Sequence, residues 1–452
     1  MKKFLIILGV LILAGLVVAG VFLATFDVDR YRPLIVRELE RAIGRPVALE
    51  RISLGWRQGI ALQLKGFTVF EGVAAGNRPV IEVDVASALV PLWPLLRREL
   101  RVSSVVLLRP RVHASRDAQG RVNLVGLAAA AAPAGAAGAA RPAPGAGQPA
   151  ISFRVDSFRV ADGTLRWTDA MAQPPMELSL TQVDLAVTNI APGQPMDVEL
   201  RGALASQTPN VQLRGRLTLP TLAGGPAVAS SGSAEQVRFT VERLPLESAF
   251  RAAADAPQLR GTLTLSLELD ALTLDPQVVR GLSGRGTAKL DEPVVANLNV
   301  LRAVLEKFAM IPGLVETLEA RLPESERAKL NAKDTVLKPI ELSMLLEAGV
   351  LRFTGLTVQS DTFGLDGSGS VGFDGTVDVR STLRVDPALS AALVRSVNEL
   401  QGLANDTGEL EIPLTVQGQA QRLAVVPDLQ YVASRIIATR AIDLLGEVLR
   451  KQ

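Results

Sequence analysis

Residues 367–372 read GSGSVG, matching the spacing G-x-G-x-x-G letter for letter. In a nucleotide-binding protein such glycines cradle a dinucleotide pyrophosphate against the N-terminus of the succeeding helix. That chemistry needs a buried strand before the motif and a helix after it. The motif instead runs into FDGTVDVRSTLRVD, in which Val377, Val379, Leu383 and Val385 alternate with Asp378, Arg380, Thr382 and Arg384. Alternation marks a strand, and Asp374-Gly375 is a hairpin signal. The glycines are therefore expected to let a sheet bend and turn tightly between strands, without a cofactor. A second cluster, GLSGRGTAKLD (281–291), also leads into strand-like sequence.

Other reactive side chains are sparse. His113 is the single histidine and there is no cysteine, which removes thiolate metal sites and disulfides. His113 lacks a partner for a metal site or a triad and is expected as a surface or cross-strand residue. Asp291 and Glu292 precede Pro293 and are expected in a turn, not as an acid–base pair. No G-x-S-x-G elbow, Walker-type lysine loop or H-E-x-x-H helix is present. The expectation is a protein that is not an enzyme, with no catalytic, cofactor-binding or metal-binding residues. Forty-eight basic residues against 46 acidic ones, with no long basic run, argue against nucleic acid as a partner.

The elements around these residues carry more information. Lys2 and Lys3 precede an uninterrupted apolar run, FLIILGVLILAGLVVAGVFLATF (4–26), that includes Phe4, Leu8, Leu13, Val18 and Phe22. At 1.5 Å per residue it reaches about 34 Å, enough to cross a ~30 Å hydrocarbon core. Ala19-Gly20 offers a weak cleavage site, but the apolar run continues past it, which favours an uncleaved anchor over a signal peptide. The lysines hold the N-terminus in the cytoplasm and place the bulk of the chain outside. Next, VDRYRPLIVRELERAIG (28–44) has a helical apolar stripe that Gly44 and Pro46 stop.

Period-two segments then take over. Leu263, Leu265, Leu267 and Leu269 share one face; so do Ile340, Leu342, Met344 and Leu346, and Leu410, Ile412, Leu414 and Val416. Such alternation means antiparallel strands with one wet face and one apolar face. Helices are expected only at 298–322, 387–402 and from about Asp428 to Leu449. Residues 128–150 are almost pure Ala, Pro and Gly and cannot build a core. The resulting organisation is an anchor (1–26), a helix-plus-strands segment (27–127), a flexible linker or insertion (128–150) and a β-rich region (151–452). Roughly 15–20 strands at about 4.8 Å each would make a sheet on the order of 70–95 Å long. Its apolar face must close into a sandwich, roll into a barrel or remain as a groove for an apolar guest.

Two stretches then resemble a known family. PLWPLLRRELRVSSVVLLRPRVHASRDAQGRVNL (91–124) is similar to a recurrent segment of the AsmA-like family of bacterial envelope proteins. The matching residues are Pro94, Leu95, Leu96, Pro110, Val112, Asp117, Gly120, Asn123 and Leu124. FDVDRYRPLIVRELERAIGRPVALERISL (26–54) resembles the family's post-anchor helix, and 346–389 with 412–429 resembles its C-terminal domain. The resemblance implies an inner-membrane, single-pass periplasmic protein, related in shape to chorein-type bridge-like lipid-transfer proteins. The implied fold is mainly β with a few helices: a long, curved, largely antiparallel sheet forming an apolar groove after one N-terminal transmembrane helix. It implies phospholipids as partners, together with the inner membrane and an outer-membrane or periplasmic protein. The groove lining expected is Val183, Leu185, Val187, Leu213, Leu217, Leu263, Leu265, Leu267, Leu342, Met344, Val377, Val379 and Leu414. The competing expectation is an assembly factor for outer-membrane proteins whose apolar faces form a closed core.

Overall fold

A computed structural model describes residues 28–56, 60–72, 78–91, 101–124, 154–171, 175–191, 194–218, 232–249, 258–274, 283–308, 313–372, 375–419 and 422–438. The run 4–26, with Phe4, Leu8, Leu13, Val18 and Phe22, lies outside them, as does the tract 128–150. Among the described residues no helix is long and apolar enough to cross a membrane. Over the described residues the fold is mainly β, with twenty strands and few helices. It forms two compact units, one from Met1–Met171, Glu177–Ala203 and Arg216–Val228, the other from Ala172–Met176, Leu204–Gly215 and Ala229–Gln452.

The first unit begins with a 3-10 turn (Val28–Tyr31) and α1 (Arg32–Ile43). Gly44 ends α1 in the left-handed region (φ 70°), its N–H donating to the Glu40 carbonyl at 2.8 Å. Strands β1 (Val47–Ala48) and β2 (Arg51–Trp56) both pair antiparallel with β3 (Ile60–Phe70), which pairs with β4 (Pro79–Val90). Next come β5 (Arg101–Leu108) and β6 (Arg111–Arg116), two parts of one line, each antiparallel to β4 and parallel to β7 (Arg154–Asp169). The break between them is the Arg109-Pro110 step. Arg109 takes φ 46° and donates its N–H to the Ala161 carbonyl at 2.8 Å, while the Pro110 carbonyl accepts from Thr164 at 2.8 Å. Strands β8 (Met176–Ile190) and β9 (Pro195–Leu204) complete this part of the sheet.

Parallel neighbours require a crossover connection. Residues on the two sides of the 128–150 tract are thus side by side in one unit, and the chain between them is that crossover. Its described start explains the D-x-x-G-x-x-N-L pattern. The Asp117 carboxylate accepts from the Gln119 and Arg121 N–H groups at 3.0 and 2.9 Å, and Gly120 supplies φ 80°. Asn123 then fastens the turn to β6, donating to the His113 carbonyl at 2.9 Å and accepting from the Ser115 N–H at 2.8 Å.

Strand β10 (Val211–Thr218) has Val211–Gly215 in the second unit and its last three residues in the first; the second unit then runs β11 (Gly232–Pro245), α2 (Leu246–Ala249), β12 (Gln258–Leu274) and β13 (Ser283–Ala296). After α3 (Val300–Leu305), α4 (Leu314–Arg321) and α5 (Glu324–Leu330) come β14 (Thr335–Val336), β15 (Ile340–Glu347), β16 (Val350–Gln359), β17 (Phe363–Gly372) and β18 (Thr376–Val385). Then α6 (Pro387–Ser396) and a 3-10 turn (Asn398–Leu403) precede β19 (Glu411–Gln419), β20 (Arg422–Pro427) and a helix described over 429–438. From β11 to β20 the described ladders are antiparallel, with β14 and β15 both on β13.

Three expectations need correction. The helix expected over 298–322 is broken, because Gly313 takes φ 65° at the start of α4 and Pro312 before it has no N–H to donate. Asp291 and Glu292 lie inside β13, where Glu292 (φ 50°) and Gly261 of β12 (φ 134°) absorb a register shift: a bulge in a ladder, not a turn. GSGSVG lies within β17, not between strands. The tight turn comes afterwards, at Gly375 (φ 87°), whose N–H donates to the Gly372 carbonyl at 3.0 Å.

Candidate functional site

The ladder registers assemble the apolar side chains of the second unit into rows. One row runs Val237, Leu269, Gly284, Leu346, Leu351, Val371, Val377 and Gly418, each opposite the next across eight successive strands. At about 4.8 Å per strand it extends roughly 34 Å. Beside it lie Phe239, Leu267, Gly286 and Met344, then Val241, Leu265, Ala288 and Leu342, then Leu244, Leu263, Leu290 and Ile340. Bulges at Val241/Leu244 and Phe353/Leu356 interrupt the ladders, yet the apolar residues resume on the same face. The opposite face is charged. Glu268 accepts from Arg238 at 2.6 Å and from Arg285 at 3.3 Å, and these bonds, Arg238's foremost, hold its carboxyl below the usual carboxylate range.

Glycines set the contour of the apolar face. A β-carbon at Gly284 would lie 2.2 Å from the Glu268 carbonyl, and one at Gly286 would lie 2.7 Å from that of Ser266. At Gly367 and Gly369 the corresponding distances are 2.5 Å to the Arg380 carbonyl and 2.4 Å to that of Asp378. Neighbouring strands therefore crowd together on this side at two separate places. Gly367 and Gly369 of GSGSVG admit the close backbone of the next strand, from inside a strand.

This face has two parts. At one end of β17–β19 it is sealed by helices: Phe363, Leu383, Val385, Ile412 and Leu414 pack with Leu301, Leu305, Phe308, Leu318, Leu389, Leu393 and Val432 in one core, which Val371, Val377 and Gly418 at the other end do not join. No residue of that core comes from β11, β12, β13, β15 or β16. On those strands Phe239, Leu263, Leu265, Leu342, Met344 and Leu351 are half-buried, whereas Val237, Val241, Leu244, Leu267, Leu290, Leu346 and Phe353 of the same face are buried. Leu263, Leu265, Leu267, Leu342 and Met344 lie together, with Val377 and Val379 farther along the same face. Leu414 is 3% exposed within the helix-covered core. Val183, Leu185, Val187 and Leu217 are half-buried in the first unit, and Leu213 is half-buried in β10. Sequence reading passed over Gly284, Gly286, Leu351 and Val371. The signal for the first two was the 281–291 glycine cluster, whose strand was read without its face.

No group of three or more His, Asp or Glu side chains among the described residues could hold a metal ion. His113 of β6 lies diagonally from Glu82 of β4, Nε2 to Oε2 3.8 Å. Comparison with known families decides the kinship, because the AsmA family model matches residues 1–288. The chain belongs to the AsmA family. In this AsmA-family chain the match takes in the 26–54 and 91–124 stretches, while 346–389 and 412–429 lie beyond it. No curated protein matches the chain.

Proposed function

We propose that this AsmA-family envelope protein binds and conducts phospholipid acyl chains on the apolar face of β11–β16, supporting outer-membrane lipid homeostasis. The observation that carries the reading is the eight-strand apolar row with half-buried aliphatic neighbours and a charged opposite face. Each methylene withdrawn from water contributes about 0.8 kcal/mol, so a lipid needs a continuous aliphatic lining more than specific hooks. Headgroups stay in water, and the chain performs no covalent step. In this reading the run 4–26 anchors the protein in the inner membrane with its bulk in the periplasm, where a periplasmic or outer-membrane protein receives the lipid.

The second reading, an assembly factor with a closed apolar core, is favoured by the sealed helical end alone. The two separate in one experiment. Full-length protein extracted from membranes is gel-filtered and its bound lipid measured by mass spectrometry. The lipid reading expects stoichiometric phospholipid that falls at least several-fold in a Leu265→Glu, Leu342→Glu variant with an unchanged circular dichroism spectrum. Lipid-free wild-type protein, or a variant that retains its lipid, would decide for the assembly factor.

A further inference from the structure

We infer that the acyl-binding face is closed by a fixed helical stopper where Phe363, Leu383, Val385 and Ile412 lie, at one end of β17–β19, so that lipid does not cross that end of these strands. This inference rests on the lipid reading and adds a boundary to it.

Register alone would let the face continue. Gly367, Ser381 and Leu414 lie in line across β17–β19, and Leu365, Leu383 and Ile412 form the next row. Yet Leu383 and Ile412 are 0% exposed, as are Leu389, Leu393, Leu400 and Val432 from the helices above them. The space an acyl chain would take is filled by the protein's own side chains.

Polar bonds distinguish a stopper from a lid. The Ser390 hydroxyl of α6 donates to the Val385 carbonyl at 3.0 Å and accepts from the Leu410 N–H at 3.0 Å, joining the helix to the ends of two strands. Asp386 caps α6, accepting from Ala388 and Leu389. Arg321 of α4 donates to the Ser396 carbonyl of α6 at 3.0 Å. Asn299 caps α3 through Arg302 and reaches the carbonyls of Lys329 and Leu330 in α5. The helices are thus tied to one another and to the sheet at both levels, and lifting them would expose several wholly buried leucines together with broken hydrogen bonds. Among the described residues Ser381 has the one buried hydroxyl without a partner.

The test uses the unmodified full-length chain. Protein in phospholipid vesicles is loaded with a phosphatidylcholine carrying a photoreactive diazirine on one acyl chain, irradiated, and its adducts mapped by peptide mass spectrometry. Adducts are expected on Phe239, Leu263, Leu265, Leu342 or Met344, with none on Leu383, Leu393, Leu400 or Ile412. Adducts on any of those four at comparable yield would overturn the stopper while leaving the lipid reading intact. A chain that takes no adduct on β11–β16 overturns the lipid reading, and the stopper with it.

Discussion

Gly367 and Ser381 face one another across the β17–β18 ladder, and a β-carbon on the glycine would sit 2.8 Å from that of the serine. The Arg380 carbonyl would be nearer still, at 2.5 Å, and a backbone atom cannot swing aside as a flexible side chain can. Gly367→Ala should therefore cost roughly 2 kcal/mol or more. Gly364, three residues earlier in the same strand, would meet nothing within 4 Å. Gly364→Ala should stay within about 0.5 kcal/mol of wild type. Chemical denaturation of both variants checks the pair; equal losses would remove crowding as the reason for these glycines.

A second prediction concerns the latch of the helical layer. Ser390 is 0% exposed and serves the Val385 carbonyl and the Leu410 N–H at once. Ser390→Ala leaves both buried and unpaired, at about 1–3 kcal/mol for each such group. The Ser396 hydroxyl donates to the Ala392 carbonyl of its own helix. That acceptor is a helical carbonyl with a second lone pair, so Ser396→Ala should cost clearly less. Unfolding midpoints of the two variants in urea give the comparison, and the reverse order would show that Ser390 does not tie the helix to the strands.

The crossover sets a minimum length. Asn123 is held at Ser115 of β6, whereas Arg154 is paired with Arg101 at the start of β5. The chain between them must return along roughly fourteen strand residues, about 46 Å. Removing 128–150 leaves 125–127 and 151–153, an extended reach of only about 20–25 Å. That deletion should abolish the pairing of β7 with β5 and β6 and yield aggregated or protease-sensitive protein. A ten-residue cut leaves about 19 residues, reaching roughly 60 Å, and should be nearly neutral. Limited proteolysis of the two deletions reads the difference.

Acid should loosen the turn that begins the crossover. The Asp117 carboxyl is held below the usual carboxylate range, foremost by the Arg121 backbone N–H, with further bonds from the Arg121 side chain and the Gln119 N–H. A depressed carboxylate stabilises the fold above its unfolded value, about 3.9, and that contribution is lost as pH falls through the lower folded value. Protection of the Arg121 amide from hydrogen exchange, corrected for intrinsic rates, should exceed that of Asp117→Ala at pH 7 and converge with it near pH 2. A gap that persists undiminished in acid would show that the charge is not involved.

Much of the fold was legible because strand chemistry is local. Alternation at 263–269 and 340–346 marks both the strands and their apolar face, since successive side chains point to opposite sides of a sheet whatever its neighbours are. The helix stop at Gly44 and the hairpin turn at Gly375 were equally local, each resting on a residue that tolerates positive φ. Misreadings arose where two strands act jointly. The Asp291-Glu292 bulge exists because Gly261 on the adjacent strand shares it, and a single strand's sequence cannot show its partner's irregularity.

By itself, then, the sequence determined that this chain is mainly β with amphipathic strands, and that GSGSVG leads into another strand and not into a helix. Local periodicity and residue type suffice for those conclusions. Tertiary structure alone decided that β7 runs parallel to β5 and β6, that Gly367 and Gly369 are required by the carbonyls of the next strand, and that Leu414 is sealed while Leu265 and Met344 are half-buried. Identical alternation produces both environments. Whether an apolar side chain becomes core or open lining depends on what packs above it, and that is set by helices distant in sequence.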